Sequence, residues 1–312
     1  MSSLRFSLLT SATVLVVAVG GLALAHATTE HGHAYAAAVT VSPTASAAAP
    51  ATPTPAPSIP PSASPSASAS PSASEDTALD AALSSAAGHA AVAVTDLDSG
   101  AVLSEGDASH AFVTASIVKV DILAALLLQH QDADTSLTAA QKALAVRMIE
   151  QSDNDAASTL FTEVGGASGL DTANRRLGLR HTTAGADGYW GLTTTTAADQ
   201  LTLLRQIFGT TTASKLSAAS RNYLRSLMGQ VETDQDWGVS AAADPGGPYA
   251  LKNGWLPRTA TGLWVINSIG RVDRDGHRYL VAVLSDGNKS MESGVTLVER
   301  VAAAAVGRLT GS

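Results

Sequence analysis

The chain has 312 residues, of which 45% are hydrophobic, 15% charged and 4% aromatic, and its 19 basic and 27 acidic residues give a formal net charge of −8. Because the chain contains no cysteine, disulfide frameworks, thiolate zinc sites, iron–sulfur clusters and cysteine nucleophiles are excluded. Its lysines and arginines are scattered, so no basic patch for nucleic acid is expected. The composition is that of a globular domain with a different kind of segment in front of it.

The N-terminal segment predicts export. An apolar run over residues 6–25 follows Arg5 and ends at Ala25-His26-Ala27, which has the small-x-small form of a signal-peptidase site. The pattern predicts a secretory signal peptide over residues 1–27. An uncleaved membrane anchor is the alternative, because the run approaches spanning length. We therefore expect a secreted or envelope-associated, extracytoplasmic protein that contacts a membrane only if this segment stays uncleaved.

Residues 28–74 have the composition of a linker. Nine of the twelve prolines of the chain lie between Pro43 and Pro71, among serine, alanine and threonine. Such a segment cannot bury enough apolar surface to offset the entropy of ordering it, so we predict a disordered, semi-extended linker. His31 and His33 lie in it without a scaffold that would fix ligand geometry. We assign no metal and no other cofactor to the protein.

The remainder, residues 75–312, predicts one folded domain with mixed periodicity. In chain order the predicted elements are a helix over Thr77–Ala87, strands over Ala90–Asp96 and Ala101–Ser104, helices over Ser116–His130, Thr138–Gln151, Asp155–Val164, Ser168–Leu177, Thr196–Phe208 and Ser214–Gln230, strands over Tyr249–Trp255, Gly262–Arg271 and Arg278–Ser285, and a helix over Glu292–Leu309. Short connections between the strands imply antiparallel pairing. We expect an α/β fold in which one antiparallel sheet is flanked by the first and last helices, beside an all-helical lobe.

Ser116 and Lys119 begin the most apolar predicted helix and share one of its faces, since they lie three residues apart. A helix that is apolar all round is buried, and both burial and the positive end of the helix dipole lower the pKa of a lysine. A neutral Lys119 can take the proton of the Ser116 hydroxyl. The alternative is that Ser116 is only an N-cap and Lys119 reaches solvent.

Two later motifs carry further polar groups. Ser152-Asp153-Asn154 lies between two predicted helices, where its residue types are also the preferred helix caps. Lys252-Asn253-Gly254 lies in a predicted strand, where a glycine permits the close approach of another backbone. The alternative for Lys252 is a solvated position on an edge strand.

The order S-x-x-K, S-D-N and K-x-G resembles that of the penicillin-recognising serine acyltransferases, and of the class A β-lactamase-like serine hydrolases in particular. The resemblance covers residues 76–309, and the threonine-rich stretch Thr193–Thr196 looks like the start of the helix that follows the omega loop of that family. It implies a β-lactamase/transpeptidase-like fold and a serine acyl-enzyme mechanism.

The resemblance also implies a role for each motif residue. Ser116 would be the acylated nucleophile, Lys119 its base, and Ser152 the relay that passes the proton to the leaving nitrogen. Asn154 would hold the substrate amide and Lys252 would attract the substrate carboxylate.

The strand of the third motif would complete the substrate-binding side. Asn253 and Gly254 would line it, and the backbone N–H groups of Ser116 and Trp255 would form the oxyanion hole.

The sequence departs from the family in two places. The window Arg175–Leu192, which should hold the omega-loop glutamate that activates the deacylating water, contains no glutamate, and Asp187 is its one acid. Asp187 is therefore the candidate substitute base, with a plain turn residue as the alternative. Asn253 stands where the family has a hydroxyl residue, which would weaken carboxylate recognition. Tyr189 and Trp190 are candidates for the cleft wall.

Three functions remain open at this point. The first is an exported serine hydrolase acting through an acyl-enzyme on β-lactam, amide or ester substrates, with weak β-lactam turnover because the omega-loop glutamate is missing. The second is a D-alanyl-D-alanine peptidase of the cell wall, and the third is a non-catalytic envelope-binding module with the same fold. For the two enzymes we expect a small-molecule or peptidoglycan-derived substrate, and for all three a monomer.

Overall fold

The computed structural model describes residues 73–209 and 214–311. The signal peptide predicted over residues 1–27, and the linker predicted over residues 28–74 apart from its last two residues, lie outside the described residues and stay predictions. Among the helices of the described part, none has both the length and the apolar character that crossing a membrane requires.

Each helix and strand predicted from periodicity has a counterpart in the structure. The helices are α1 (Ala73–Ser84), α2 (Val118–Asp132), α3 (Ala139–Glu150), α4 (Asn154–Glu163), α5 (Gly166–Leu177), α6 (Ala197–Phe208), α7 (Ala218–Met228) and α8 (Met291–Thr310). The strands are β1 (Ala90–Asp96), β2 (Val102–Gly106), β3 (Phe112–Val113), β4 (Thr194–Thr195), β5 (Tyr249–Arg258), β6 (Leu263–Arg274) and β7 (His277–Asn288). The two-residue strands β3 and β4 were not predicted, because two residues are too short to show a period.

The two predicted groups of strands form one antiparallel sheet in the order β2-β1-β7-β6-β5. Strand β7, the last along the chain, lies between β1 and β6 and so joins the early hairpin to the late strands. Strands β3 and β4 pair separately, just before the segment that carries Ser116 and just before α6.

Alternation along the central strands divides the apolar side chains between two cores. Val92 and Val94 of β1 pack with Val281 and Val283 of β7 in a core closed by α1 and α8. The side chains between them belong to the other core, on the side of the helical lobe. Because successive strand residues point to opposite faces, a strand with apolar residues at every position is covered on both sides.

Helix α2 is the centre of the helical lobe. Every residue from Val118 to Leu128 is buried, and α3, α4, α5 and α7 all contact it. The burial predicted from its apolar sequence is confirmed, and it encloses a lysine near the start of the helix.

Two glycines give a matched test of this packing. A Cβ atom on Gly270 in β6 would lie 2.3 Å from the carbonyl oxygen of Ala250 in β5, whereas a Cβ on Gly307 in α8 would meet nothing within 4 Å. We expect Gly270→Ala to lower the free energy of unfolding by about 1–3 kcal/mol through overpacking. We expect Gly307→Ala to raise it by about 0.5–1 kcal/mol, since alanine is the better helix former. Urea denaturation measures both, and equal losses in the two variants would contradict this account of the sheet.

Candidate active site

Ser116 is presented by a short, tightly held segment. Strand β3 leads into it, and the N–H of Thr114 donates to the carbonyl oxygen of Thr193 at 2.8 Å. Ala115 then adopts φ +48°, in the left-handed region, and a 3-10 turn over Ala115–Ile117 leads into α2. Ala115 and Ile117 are buried while Ser116 is half-buried. The turn therefore exposes the serine from an otherwise buried stretch, at the cost of an unfavourable backbone conformation.

Asn267 fixes this segment to the sheet and was not found by the sequence analysis. Its side chain is fully buried in β6, and its Nδ2 donates to the carbonyl oxygens of Val113 at 2.8 Å and Thr114 at 3.0 Å. Its Oδ1 accepts from the N–H of Ser285 in β7 at 3.1 Å. One amide thus joins two central strands to the residues just before Ser116. The signal in the sequence was a polar residue inside an apolar strand.

Gly254 makes the close approach that the sequence predicted. A Cβ atom there would lie 2.6 Å from the carbonyl oxygen of Thr114 and 2.9 Å from the backbone nitrogen of Ser116. The backbone of β5 therefore lies directly against the nucleophile turn, and Trp255 is the next residue along it. This arrangement brings the strand that carries the third motif to the residue that begins the first.

The side-chain amine of Lys119 joins the first and second motifs. Its Nζ lies 2.9 Å from Oγ of Ser116, 3.0 Å from Oγ of Ser152, 2.6 Å from the carbonyl oxygen of Ser152 and 2.8 Å from Oδ1 of Asn154. Ser152 takes φ +56°, which places its hydroxyl and its carbonyl oxygen around the same amine. Four residue positions separated by up to 38 residues in sequence therefore meet at one nitrogen.

The acceptor set suits a neutral lysine. The backbone carbonyl oxygen of Ser152 and the side-chain oxygen Oδ1 of Asn154 can only accept hydrogen bonds. A neutral amine has two hydrogens, one for each of them. Its lone pair is then free to accept the proton of the Ser116 hydroxyl. An ammonium could make three hydrogen bonds to the same four oxygens. The neutral amine also makes three, two as donor and one as acceptor, so these oxygens accommodate it equally well.

Burial sets the charge state of this lysine. Lys119 is fully buried, and this desolvation lowers its pKa to about 8, against the opposing effect of the Asp153 carboxylate. Asp153 caps α4 through the N–H of Ala156 and is paired with Arg147. Burial also raises the pKa of Asp121, two residues further along α2, to about 8. Burial therefore favours the protonated form of Asp121, which reduces the counter-charge that it offers to Lys119.

Lys252 is the second buried amine. It is fully buried in β5, and its Nζ donates to the carbonyl oxygen of Asn253 at 3.2 Å. Desolvation, followed by the charge of Lys119, lowers its pKa to about 7. The predicted alternative of a solvated edge-strand lysine does not hold, because the nucleophile turn and α7 contact the strand that carries it.

Asn253 faces away from the position that the sequence analysis expected. Both hydrogens of its Nδ2 are used within the protein, by the carbonyl oxygens of Gln235 at 2.9 Å and Trp237 at 2.8 Å. Its side chain is fully buried. The amide therefore anchors the segment between α7 and β5 rather than offering a donor to a substrate carboxylate, and this corrects our expectation for it.

The loop after α5 contributes an aromatic ring rather than an acid. The ring of Trp190 lies 5.0 Å from Nζ of Lys119, and its Nε1 donates to Oγ of Ser158 in α4 at 3.0 Å. Asp187 takes φ +53° on an exposed turn, and its carboxylate has no hydrogen-bond or ion-pair partner within residues 73–209 and 214–311. Trp190 was a candidate for the cleft wall, and the structure brings its ring to the amine of Lys119.

The cleft beside this ring is apolar. Tyr189 and Leu192 are exposed at 66% and 41%, and with Trp190 and Leu256 they line one pocket. Trp237 and Trp255 pack edge to face with their ring centroids 6.0 Å apart.

Comparisons with known proteins agree with this arrangement. A model of the β-lactamase enzyme family matches residues 128–309. The match includes the second and third motifs and begins after Ser116 and Lys119, so these two residues are placed by geometry alone. LppW of Mycobacterium tuberculosis and of Mycobacterium bovis, which are named as lipoproteins, are each 28% identical over 199 residues. The aligned part is 62% of this chain and 62% of theirs, which is less than two thirds of their length.

Several solved structures have the same fold. PBP-A superimposes with a TM-score of 0.63 at 22% identity over 76% of this chain and 96% of its own. A β-lactamase from Chitinophaga pinensis gives 0.64 at 21% identity over 76% and 98%. The extended-spectrum β-lactamase TLA-1 gives 0.66 at 17% identity over 76% and 98%. The expected β-lactamase/transpeptidase-like fold is confirmed.

Asn267 provides a test of how the nucleophile is positioned. In Asn267→Ala the carbonyl oxygens of Val113 and Thr114 lose their donor, so we expect a loss of about 2–3 kcal/mol in the free energy of unfolding. Because the turn before Ser116 is then free to shift, we also expect acylation by a fluorescent penicillin, per folded molecule, to slow by about 10–100-fold.

Asn288→Ala is the matched control. Asn288 is also buried, and its Nδ2 donates to the carbonyl oxygen of Trp264 and to Oγ of Ser285 without touching the nucleophile segment. It should lose stability and keep its acylation rate. If acylation slows equally in the two variants, Asn267 stabilises the fold and does not position Ser116.

Proposed function

The chain belongs to the β-lactamase enzyme family, and on that premise we propose that it is a serine hydrolase in which Ser116 is acylated by a β-lactam, amide or ester substrate and the acyl-enzyme is hydrolysed slowly. The observation that carries the proposal is the buried amine of Lys119, with Oγ of Ser116 at 2.9 Å and Oγ of Ser152 at 3.0 Å. A nucleophile, a base with a lowered pKa and a proton relay within hydrogen-bond reach are the requirements of covalent catalysis.

Acylation follows from these contacts. The neutral amine of Lys119 takes the proton of the Ser116 hydroxyl while Oγ attacks the substrate carbonyl carbon. The oxyanion that forms accepts hydrogen bonds from the N–H groups of Ser116 and Trp255, a role that the contact between Gly254 and the Ser116 turn supports. The proton then passes from Lys119 through the hydroxyl of Ser152 to the leaving nitrogen. The carbon–nitrogen bond breaks and an ester on Ser116 remains.

Substrate binding uses the remaining donors and the buried charge. Oδ1 of Asn154 is engaged by Lys119 at 2.8 Å, so its exposed amide nitrogen is available to a substrate carbonyl. Lys252, when protonated, supplies the positive potential that attracts a substrate carboxylate, while Gly254 lets the strand lie close enough for its backbone to take part. The apolar side chains of Tyr189 and Leu192 line a pocket together with Trp190, whose ring lies over Lys119.

Deacylation lacks an evident base. Water must attack the ester with help from a group that removes its proton, and Trp190 covers Lys119 from the loop where the resemblance predicts a glutamate. Asp187, our candidate substitute, lies on an exposed turn and has no partner in the part of the chain that the structure describes, and Asp153 is held by Arg147. Slow hydrolysis of the acyl-enzyme is the consequence.

We place the protein outside the cytoplasm, in the cell envelope or secreted. The predicted signal peptide over residues 1–27, the predicted linker and the likeness to proteins named as lipoproteins support this location. A D-alanyl-D-alanine peptidase is the second candidate, because the three motifs suit it equally, and the fold is shared with PBP-A, one mutant of which has been solved as an acyl-enzyme complex with penicillin G. Release of D-alanine from a synthetic stem peptide separates the two.

The first test is covalent labelling. A fluorescent penicillin should label the wild-type chain and the surface control Ser104→Ala but leave Ser116→Ala unlabelled, because only the last lacks the nucleophile. With nitrocefin we expect a burst close to one equivalent, followed by a much slower steady state as the ester accumulates. The proposal is contradicted if Ser116→Ala is labelled by the penicillin, or if the wild type turns over nitrocefin rapidly without a burst.

Asp187→Asn serves as the control for deacylation. We expect the lifetime of the acyl-enzyme to stay the same in this variant, because the carboxylate lies on the exposed turn. A markedly longer lifetime would identify Asp187 as the deacylation base and would restore the sequence-based expectation for it.

The pH dependence of acylation provides a second test. The second-order rate constant should rise as Lys119 loses its proton, with a pKa of about 8, and fall as Lys252 loses its charge, with a pKa of about 7. The product is a bell with its maximum near the midpoint of the two values, which belong to the coupled pair. In Lys252→Arg the guanidinium stays charged, so the alkaline limb should disappear.

Lys252→Met controls for the possibility that the larger arginine side chain disturbs the packing around this buried position. It has no titrating group, so it should show a lower rate and only the acidic limb. An alkaline limb that persists in both variants, at pH values above the maximum, would exclude Lys252 as its source.

A further inference from the structure

A second cluster of polar side chains lies on the sheet, outside the nucleophile site. His89 precedes β1, Asp107 and His110 follow β2, and Asp286 lies in β7. Nδ1 of His89 is 3.0 Å from Oδ2 of Asp107, and Nε2 of His110 is 2.8 Å from Oδ2 of Asp286. The two imidazole rings stack with centroids 4.0 Å apart. Three separate segments thus bring two histidines, each with its own carboxylate, to one place.

The backbone around this cluster is rigid. The N–H of Asp286 donates to the carbonyl oxygen of His89 at 3.0 Å, and the N–H of His110 donates to that of Asp107 at 2.9 Å. A Cβ atom on Gly88 would lie 2.8 Å from Cα of Gly287, so the two chain segments are in direct contact. The backbone positions of these residues are therefore held by hydrogen bonds and close packing between the two segments.

One of the rings is further fixed from beneath. Phe112 is fully buried and packs edge to face against His110, with ring centroids 4.5 Å apart. His110 also follows β2 closely enough for its backbone to be held by Asp107. Ligands whose rings are held in place by packing are the condition for a preformed metal site.

We propose that His89, His110 and Asp286 bind one divalent transition-metal ion of the Zn²⁺ class. Each offers a ligand atom, and these atoms all lie within 4.8 Å of one another. Two imidazoles and one carboxylate suit Zn²⁺, whereas Mg²⁺ and Ca²⁺ prefer oxygen ligands alone. Two ligands at a tetrahedral Zn²⁺ lie about 3.3 Å apart, so binding requires the hydrogen bond between His110 and Asp286 to open and the stacked imidazole rings to turn towards the ion.

Asp107 takes the role of an outer partner in this proposal. By holding Nδ1 of His89, it fixes the tautomer that leaves the lone pair on the other ring nitrogen, as carboxylates do for metal-bound histidines. The two carboxylates carry two negative charges, which a divalent cation balances. His89, His110 and Asp286 have side-chain exposures of 54%, 31% and 26%, so an ion has access and water can complete the coordination.

A second group with similar composition does not carry the same inference. Asp96, Asp98 and His277 also place their ligand atoms within 4.8 Å. The carboxylate of Asp96 already accepts from Ser99 and from the N–H of Asp98, and Asp98 is paired with Arg278. These contacts account for the group as a turn with an ion pair.

The proposed ion would be structural. It would join the start of β1, the end of β7 and the segment that runs from His110 through β3 to Ser116. An ion that binds only the folded state stabilises it by mass action. Because Ser116 has its own base in Lys119, acylation does not need the ion, and this inference is independent of the proposed function.

Zinc binding by the full-length chain tests the proposal. We expect His110→Ala and Asp286→Asn each to bind one equivalent of Zn²⁺ less than the wild type in equilibrium dialysis, and to lose the increase in melting temperature that Zn²⁺ gives. Asp107→Asn should keep the site with about 10–100-fold weaker affinity. Cobalt(II) gives a visible absorption band that reports nitrogen and carboxylate ligation directly.

His181→Ala is the matched control, because His181 is exposed and lies outside both clusters. His31 and His33 are present in every chain, so the difference between variants isolates this cluster. Labelling of Ser116 by penicillin and circular dichroism check that each variant is folded. The proposal fails if the wild type shows no saturable site, or if His110→Ala and Asp286→Asn both bind as much Zn²⁺ as the wild type.

Discussion

The site depends on one buried amine. Lys119 is held where no solvent reaches it, at hydrogen-bond distance from oxygen atoms of three residues. Its burial comes from the apolar sequence of α2, which places it inside the helical lobe, and its position on the first turn places it beside Ser116. The same apolar packing that forms the lobe therefore lowers the pKa of the lysine, and the base that we propose would owe its lowered pKa to the core itself.

The sheet contributes the complementary constraint. The nucleophile turn is fastened to β6 by Asn267 and lies against β5 at Gly254, where no side chain would fit. The segment is thus fixed from both strands while Ala115 keeps an unfavourable backbone conformation. A serine on a strained turn persists only where surrounding contacts determine its position. The buried amide of Asn267 supplies one such contact, and the backbone of β5, which can approach because Gly254 has no side chain, supplies the other.

The sequence predicted those parts of the site that depend on local spacing. Ser116 and Lys119 share a helix face by their separation, and the motif at Ser152 falls at a helix start, so both could be placed without coordinates. The contacts of Asn267 and Trp190 could not, because each joins segments far apart in sequence through geometry that only the folded chain defines. The direction of Asn253 was in part predictable, since neighbours in a strand point to opposite faces and Lys252 already takes the face towards Lys119.

The two buried lysines also link the chemistry to stability. The folded pKa values of about 8 for Lys119 and about 7 for Lys252 lie below the ordinary lysine value of 10.5, so over that interval the folded state binds fewer protons than the unfolded state. Linkage then requires stability to increase as the pH rises from about 7 towards 10.5. At neutral pH the fold carries the cost of two amines taken out of water, and the apolar residues of α2 and the sheet offset it. Activity and stability oppose each other here for a physical reason: the desolvation that makes Lys119 a base is the same desolvation that disfavours its burial.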